Sequence, residues 1–362
     1  MRRRLLALAP APADEIALPA LPALTDPEQA RDLLERHLRG ASPADAGLRL
    51  AGCAPRVVRY KPGSRCTILY DLAYAPGDTG PSLVVAKTYG GDKGRNAYEG
   101  MRALWASPLA AGDVVTIAEP LGYVPELRLL LQGPVPEQRT LKQLIRGALD
   151  AGTPEALAEL DAAMDATAAG LAALHTSGVG YGEPVTIADE LAEIRGVLDA
   201  MAVAVPELAG AAAPLLARVE DLAGRHPADP AVPAHRSFRP AQVLLADGRI
   251  GFIDFDGICQ AEPAIDVALF LSSVKGVGLV ESLAGRDVGQ AAWEERLALL
   301  DRLCAAFLDR YQSLAPLSRA RVALWQTLDL LTDVMHTWTK VKPTKLPPTM
   351  LLLERHLAAG LA

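Results

Sequence analysis

The sequence predicts an α+β protein of two lobes, a small antiparallel-sheet lobe followed by a larger helical one. Three observations lead there. β-prone runs gather in the first third of the chain and Ala/Leu-rich helical periods fill the rest, the texture changing between Leu130 and Thr140. The 362 residues, at roughly 150 per domain, suggest two domains or one two-lobed body. Half the residues are hydrophobic and 22% are charged, far from the composition of chains that stay disordered. The boundaries follow as a disordered or loosely packed tail over 1–25, a first lobe over 26–133 and a helical lobe over 134–362.

Residues 26–39 read as a helix, with Asp26 as its cap, Pro27 in the first turn and Gly40 as its stop. Arg56 to Tyr60 and Cys66 to Ala73 are two β-prone runs joined by Lys61-Pro62-Gly63-Ser64-Arg65, whose centre has turn chemistry, so they form a hairpin. Ser82 to Tyr89 is a third strand, nearly all apolar or β-branched apart from Lys87. A helix over 95–105 puts Tyr98, Met101 and Trp105 on one face, and Val114 to Ile117 and Leu127 to Gln132 complete the sheet. Helices are then expected over 140–149, 154–176, 187–203, 207–224, 290–313 and 318–340. One interruption, Pro230 to Ile258, holds two short β-prone runs around the Asp247-Gly248 turn.

Several function classes are excluded or disfavoured. The formal charge of −7 argues against nucleic-acid binding through bulk charge. Cys53, Cys66, Cys259 and Cys304 lie far apart with no C-x-x-C pair, which disfavours a metal knuckle or a disulfide framework and fits a reducing cytoplasm. Arg2-Arg3-Arg4 and the apolar run behind it mimic a signal peptide, but Pro10 and Pro12 cut the run short, and the segment reads as a tail. Charged residues interrupt every long apolar stretch, so no membrane span is expected.

The chemistry-bearing residues begin with Lys87. A lysine inside an apolar strand costs several kcal/mol to bury unless an anion meets its ammonium; ending the strand at the surface is the alternative. Further on the chain runs His235-Arg236-Ser237-Phe238-Arg239-Pro240-Ala241-Gln242, then Ile253-Asp254-Phe255-Asp256-Gly257. Together with Lys87, Glu99 and Leu171-Ala172-Ala173-Leu174-His175, this resembles the aminoglycoside phosphotransferase and choline kinase family, which has the protein-kinase-like fold. The resemblance spans residues of about 50 to 345.

It implies a phosphotransferase that uses ATP or GTP with Mg2+ to phosphorylate a hydroxyl of a small molecule or peptide. By that resemblance His235 takes the loop histidine's place, Gln242 the metal-binding Asn position and Asp254 the second metal ligand. Lys87, paired with Glu99 directly or after a short helix swing, would hold the α- and β-phosphates. Asp254 and Gln242 would converge on one cleft and offer magnesium oxygen ligands. The adenine would lie under the hairpin, against Gln132-Gly133-Pro134-Val135, with Gly63 and Ser64 near the phosphates. Asp266 resembles the aspartate that ties down the catalytic loop, or else caps a helix. His175 closes a helix end.

The departure is Ser237, which stands where the family carries its catalytic aspartate. A hydroxyl is no carboxylate base, and losing a general base costs ~10²–10⁴ in rate. Asp256 is the nearest carboxylate to substitute for it, unless it is only a solvated turn residue. The same serine suggests the alternative reading, a pseudokinase that binds nucleotide or a partner protein as a scaffold. The single Gly63 makes a thin phosphate loop. Arg236 and Arg239 either bind phosphate or solvate the loop. The acids of 187–195 read as an exposed helix face, Trp293, Trp325 and Trp338 as core, and Lys340 to Lys345 as a surface loop.

Overall fold

The computed structural model describes residues 18–39, 49–281, 289–340 and 342–360. Residues 1–17 of the expected tail lie outside them. Residues 18–25 correct that expectation, because Leu18 and Leu24 are buried and Leu21–Thr25 forms a short helix, α1. Helix α2, Pro27–Arg39, follows, and Asp26 accepts the N–H groups of Glu28 and Gln29 as the sequence suggests.

The hairpin is β1, Leu50–Lys61, and β2, Arg65–Tyr74. It continues into β3, Leu83–Tyr89, before α3, Lys93–Trp105, and a one-turn α4, Pro108–Ala111. Then come β4, Thr116–Ile117; β5, Pro120–Val124; and β6, Leu129–Gln132. Five of these strands form one antiparallel sheet in the order β1-β2-β3-β6-β5. β5 was not legible, since Pro120 and Gly122 mask a run without alternation.

The chain proceeds through β7, Arg139–Thr140; α5, Leu141–Ala151; α6, Pro154–His175; α7, Ile187–Met201; and α8, Pro206–Arg225. Thr140 with Gln143 and Thr186 with Asp189 close capping boxes at α5 and α7. Next are β8, Val232–Ala234; β9, Val243–Ala246; β10, Arg249–Phe252; and β11, Cys259–Ala261. Asp247 and Gly248 both have positive φ (50° and 72°), the geometry of a tight hairpin turn. The order β4-β10-β9-β7 makes a small second sheet, in which β4 runs parallel to β10. The last helices are α9, Ala264–Lys275; α10, Gln290–Gln312; α11, Arg319–Thr339; and α12, Leu346–Ala358. Among the described residues, no helix is long and apolar enough to cross a membrane.

Two apolar cores result. The smaller holds α1, α2 and the hairpin face of the five-stranded sheet, with Leu34, Ile68 and Tyr70 at its centre. The larger fills the helical lobe and also takes in Ala97, Met101 and Leu104 of α3. Helix α3 is therefore seated on the helical lobe: a Cβ at Gly100 would lie 2.4 Å from Ile258 Cγ2, so only glycine permits this approach. On the face expected from spacing, Met101 is buried and Tyr98 stacks on Tyr123, but Trp105 is exposed. Trp325 belongs to the core and Trp293 packs against that core, whereas Trp338 is 45% exposed, contrary to its expected place.

Candidate active site between the lobes

The site forms where β3 of the sheet lobe faces the loop that leaves β10. Lys87 sits in β3 opposite Thr67 and Leu130, so its stem is walled by neighbouring strands. Its ammonium must find an anion, and Asp254 Oδ1 lies 2.9 Å from Nζ, with Asp256 Oδ1 at 3.9 Å. Arg65, at the first position of β2, adds a second cation. Its Nη1 is 3.0 Å from Asp254 Oδ1 and 3.1 Å from Asp256 Oδ2. Tyr89, two residues beyond Lys87 on the same strand face, donates its hydroxyl to Asp256 Oδ1 at 2.7 Å. Two cations and two carboxylates thus meet across the cleft.

The electrostatics differ between the two acids. Burial opposes ionisation of Asp254, but Lys87 and Arg65 outweigh it and hold the carboxyl well below the usual range. Burial pushes the Asp256 carboxyl up, Asp254 adding to the effect. Asp256 is therefore no solvated turn residue: its side chain is 14% exposed. Asp254 also adopts a left-handed backbone, φ 75°, which aims its carboxylate at the opposite lobe. Aspartate tolerates that conformation better than most residues, and such strain gathers at functional sites.

The loop ahead of β9 supplies the other expected residues. His235 is fully buried; Asp266 Oδ2 accepts its backbone N–H at 2.5 Å, and its Nε2 lies 3.0 Å from the carbonyl of Ile253. A carbonyl only accepts, so Nε2 carries the proton and Nδ1 is the acceptor. Ser237 Oγ, 3.3 Å away, therefore donates to Nδ1 and in turn accepts from Gln242 Nε2 at 3.4 Å. That chain leaves Gln242 Oε1, which is buried and has no hydrogen-bond partner. The main chain joins this residue to the other loop, since Ile253 N–H donates to the Gln242 carbonyl at 3.1 Å.

Glu99 is not brought to Lys87. It is exposed and accepts from the Tyr181 hydroxyl at 3.2 Å, while Asn96 of the same helix donates to the carbonyls of Asp256 and Ile258. The seating of α3 on the helical lobe explains the difference. Gly63 does take a left-handed φ of 66°, and Ser64 accepts the Gly90 N–H at 2.8 Å, so this tip folds back on the end of β3. Gln132 is buried at the end of β6, and Val135 leans on β10, where a Cβ at Gly251 would lie 2.3 Å from its Cγ1. Asp266 ties down the loop that carries His235 and also meets His175 Nε2 at 3.1 Å; the capping position of α9 is Pro263 instead. Arg236, another left-handed residue (φ 60°), pairs with Glu190 at 3.0 Å, so Glu190 is a buried partner and no part of an exposed face. Arg65 and Tyr89 were missed, because a residue flanking a turn and an aromatic strand end carry no signal of their own.

A family model described as the phosphotransferase enzyme family matches residues 97–317, more than half of the chain. The chain belongs to that family. Among solved structures, glucosamine kinase in complex with glucosamine, ADP and inorganic phosphate is similar at 20% identity and a TM-score of 0.61, over 92% of this chain and 88% of that one. Choline kinase from Cryptosporidium parvum Iowa II is 11% identical with a TM-score of 0.59, over 91% and 97%. A thermostable mutant of an aminoglycoside phosphotransferase is 15% identical with a TM-score of 0.57, over 90% and 99%. No curated protein matches the chain in sequence. The fold is thus the bilobal kinase-like one, and the family is one of phosphotransferases.

Proposed function

We propose that the protein transfers the γ-phosphoryl group of ATP, with magnesium, to a hydroxyl of a small molecule. The observation that carries this is the convergence of Lys87 and Asp254, 167 positions apart in sequence, to 2.9 Å across the cleft. A lysine from the sheet and an aspartate from the helical lobe are what a phosphate clamp and a metal ligand require. The glucosamine kinase of similar fold binds ADP, which supports a nucleotide in the same cleft.

The residues fit magnesium. Gln242 Oε1 is a buried oxygen without a donor, and Asp254 is held ionised, so both offer hard oxygen ligands. When bound, magnesium offsets the charge that develops on the phosphates. Lys87 and Arg65, released from Asp254, would turn to those phosphates. The acceptor oxygen bonds to the γ-phosphorus, the bond to the β–γ bridging oxygen breaks, ADP leaves, and Asp256 takes the hydroxyl proton. Its raised carboxyl suits a base better than an ordinary one does.

Ser237 favours a second reading, a nucleotide-binding scaffold without transfer, because its hydroxyl is already committed to His235. Magnesium ATP should raise the melting temperature by binding the native state, and Lys87→Ala or Asp254→Ala should each reduce the shift. ADP formation with an acceptor then separates the readings. Absence of any shift with ATP or GTP at millimolar concentration would overturn both.

A further inference from the structure

Behind the loop that carries Ser237 and Gln242 lies a cavity of about 340 Å³. Arg239, Pro240 and Ala241 of that loop form one wall, and Lys142 at the start of α5 forms another. Lys340, Lys342 and Lys345, from the end of α11 and the turn before α12, line it as well. Five cations thus border one small space, and among the described residues Asp333 is the one carboxylate on its walls. Concave walls of low dielectric strengthen such a field.

Two further observations point to a ligand. Ser272 is 2% exposed, lines the cavity, and its Oγ has no hydrogen-bond partner. The Nε of Arg239 is likewise buried and unpartnered. Asp329, which interacts electrostatically with Arg239, has its carboxyl pushed well up by burial, so it compensates the guanidinium poorly.

We propose that this cavity binds a small molecule bearing an anionic group, phosphate or carboxylate, on the far side of the loop that carries Ser237 and Gln242. The binding of an anion here stands independently of the phosphotransferase reading. The volume admits a compound of a few carbons, near the lower end of small-molecule sites. Arg239 belongs to the same loop as Ser237, so an anion seated on it bears on the segment that also holds Ser237 and Gln242.

The test uses the full chain and four probes of similar size: glycerol phosphate, glycerate, glycerol and choline, titrated calorimetrically with and without magnesium ADP. At least one anionic probe should bind about 10-fold tighter than glycerol and choline, by about 1.4 kcal/mol, and added salt should weaken it. Phosphate over carboxylate preference identifies which anion the site takes. The double variant Lys342→Glu/Lys345→Glu, at the cavity rim, should lose about 10-fold or more of that binding, while its magnesium ATP melting shift stays as in wild type. Equal or tighter binding of choline or glycerol overturns the proposal, as does unchanged anion binding in the double variant, or no binding of either anionic probe at millimolar concentration. Loss of the ATP shift in wild type would strike the phosphotransferase reading instead and leave the anion result to be read alone.

Discussion

Two ion-pair clusters of nearly the same chemistry sit in different parts of this molecule. In the helical lobe Arg321 pairs with Glu262 through Nε and Nη2, one edge of its guanidinium; Trp325 Nε1 donates to the same carboxylate at 2.7 Å, and Nη1 donates to the carbonyls of Ala223 and His226. The two side chains are 2% and 4% exposed. In the cleft, Lys87 and Asp254 are 10% and 19% exposed, and each also has another charged neighbour. The first cluster is satisfied within one lobe. The second joins two lobes, lets water in, and has partners that a phosphate or a metal can replace. What distinguishes a structural pair from a functional one here is exchangeability, since the charges themselves are alike.

The largest effect expected from breaking the comparison is on turnover. Asp256→Asn should lower phosphoryl transfer by ~10²–10⁴-fold, because an amide accepts no proton, while Ser237→Ala should keep most of it. Steady-state ADP release decides. If Ser237→Ala falls as far as Asp256→Asn, the hydroxyl and not the carboxylate carries the role. Transfer absent from wild type with every acceptor tried would favour the scaffold reading.

The next effect is on stability. Arg321→Met leaves Glu262 charged and buried without its partner and should cost about 3–5 kcal/mol, read from denaturant unfolding. Lys87→Met should cost roughly 1 kcal/mol or less, because Arg65 remains on Asp254 and water reaches the site. Similar losses from the two would show that the cleft cluster is a structural strut. Partial recovery in Arg321→Met/Glu262→Leu would confirm that the larger loss comes from an unpaired charge.

The same contrast explains what the sequence made legible. Lys87 and Asp254 stand out because each breaks an apolar strand context, and the spacing from His235 to Gln242 is local. The partnership of Lys87 with Glu99 failed because it depends on where α3 docks, which Gly100 and Ile258 decide through a contact between distant segments. Arg321 and Glu262 gave no sign, since a charged residue inside a helical period reads as surface. The basic cavity was hidden in a similar way. Lys340 to Lys345 read as a solvated loop, and only the docking of α12 turns it toward Arg239. That helix itself begins Leu346-Pro347-Pro348, which reads as irregular chain, although proline is tolerated in a first turn.

The smallest effect expected concerns α12 and sharpens the contrast with pH. His356 Nε2 lies 3.0 Å from the Ala323 carbonyl and 3.0 Å from Thr327 Oγ1, so this imidazole helps pin α12 to α11. Burial lowers its pKa, Lys275 adds to the lowering, and the bond to Ala323 opposes it. The unfolded chain, with histidine near ~6.5, therefore binds its proton first. Stability from this contact is fully present above that value and is lost as the pH falls through it toward the folded value. Asp254 has a depressed carboxyl, so its contribution persists until the pH drops below the ordinary carboxylate range near ~3.9. Asp329, with its raised carboxyl, acts in the opposite direction and gains on acidification. Comparison of wild type with His356→Gln isolates the histidine from both, since glutamine can donate to Ala323 without titrating. Protection of the amides of 346–358, measured as exchange relative to the intrinsic rate, should fall between pH 7.5 and pH 5.5 in wild type and change little in the variant. Because Thr349 and Leu352 of this helix line the basic cavity, the same acidification should loosen one wall of the anion site while the cleft pairs stay intact. Equal exchange in wild type and His356→Gln across that range would remove His356 as the pin.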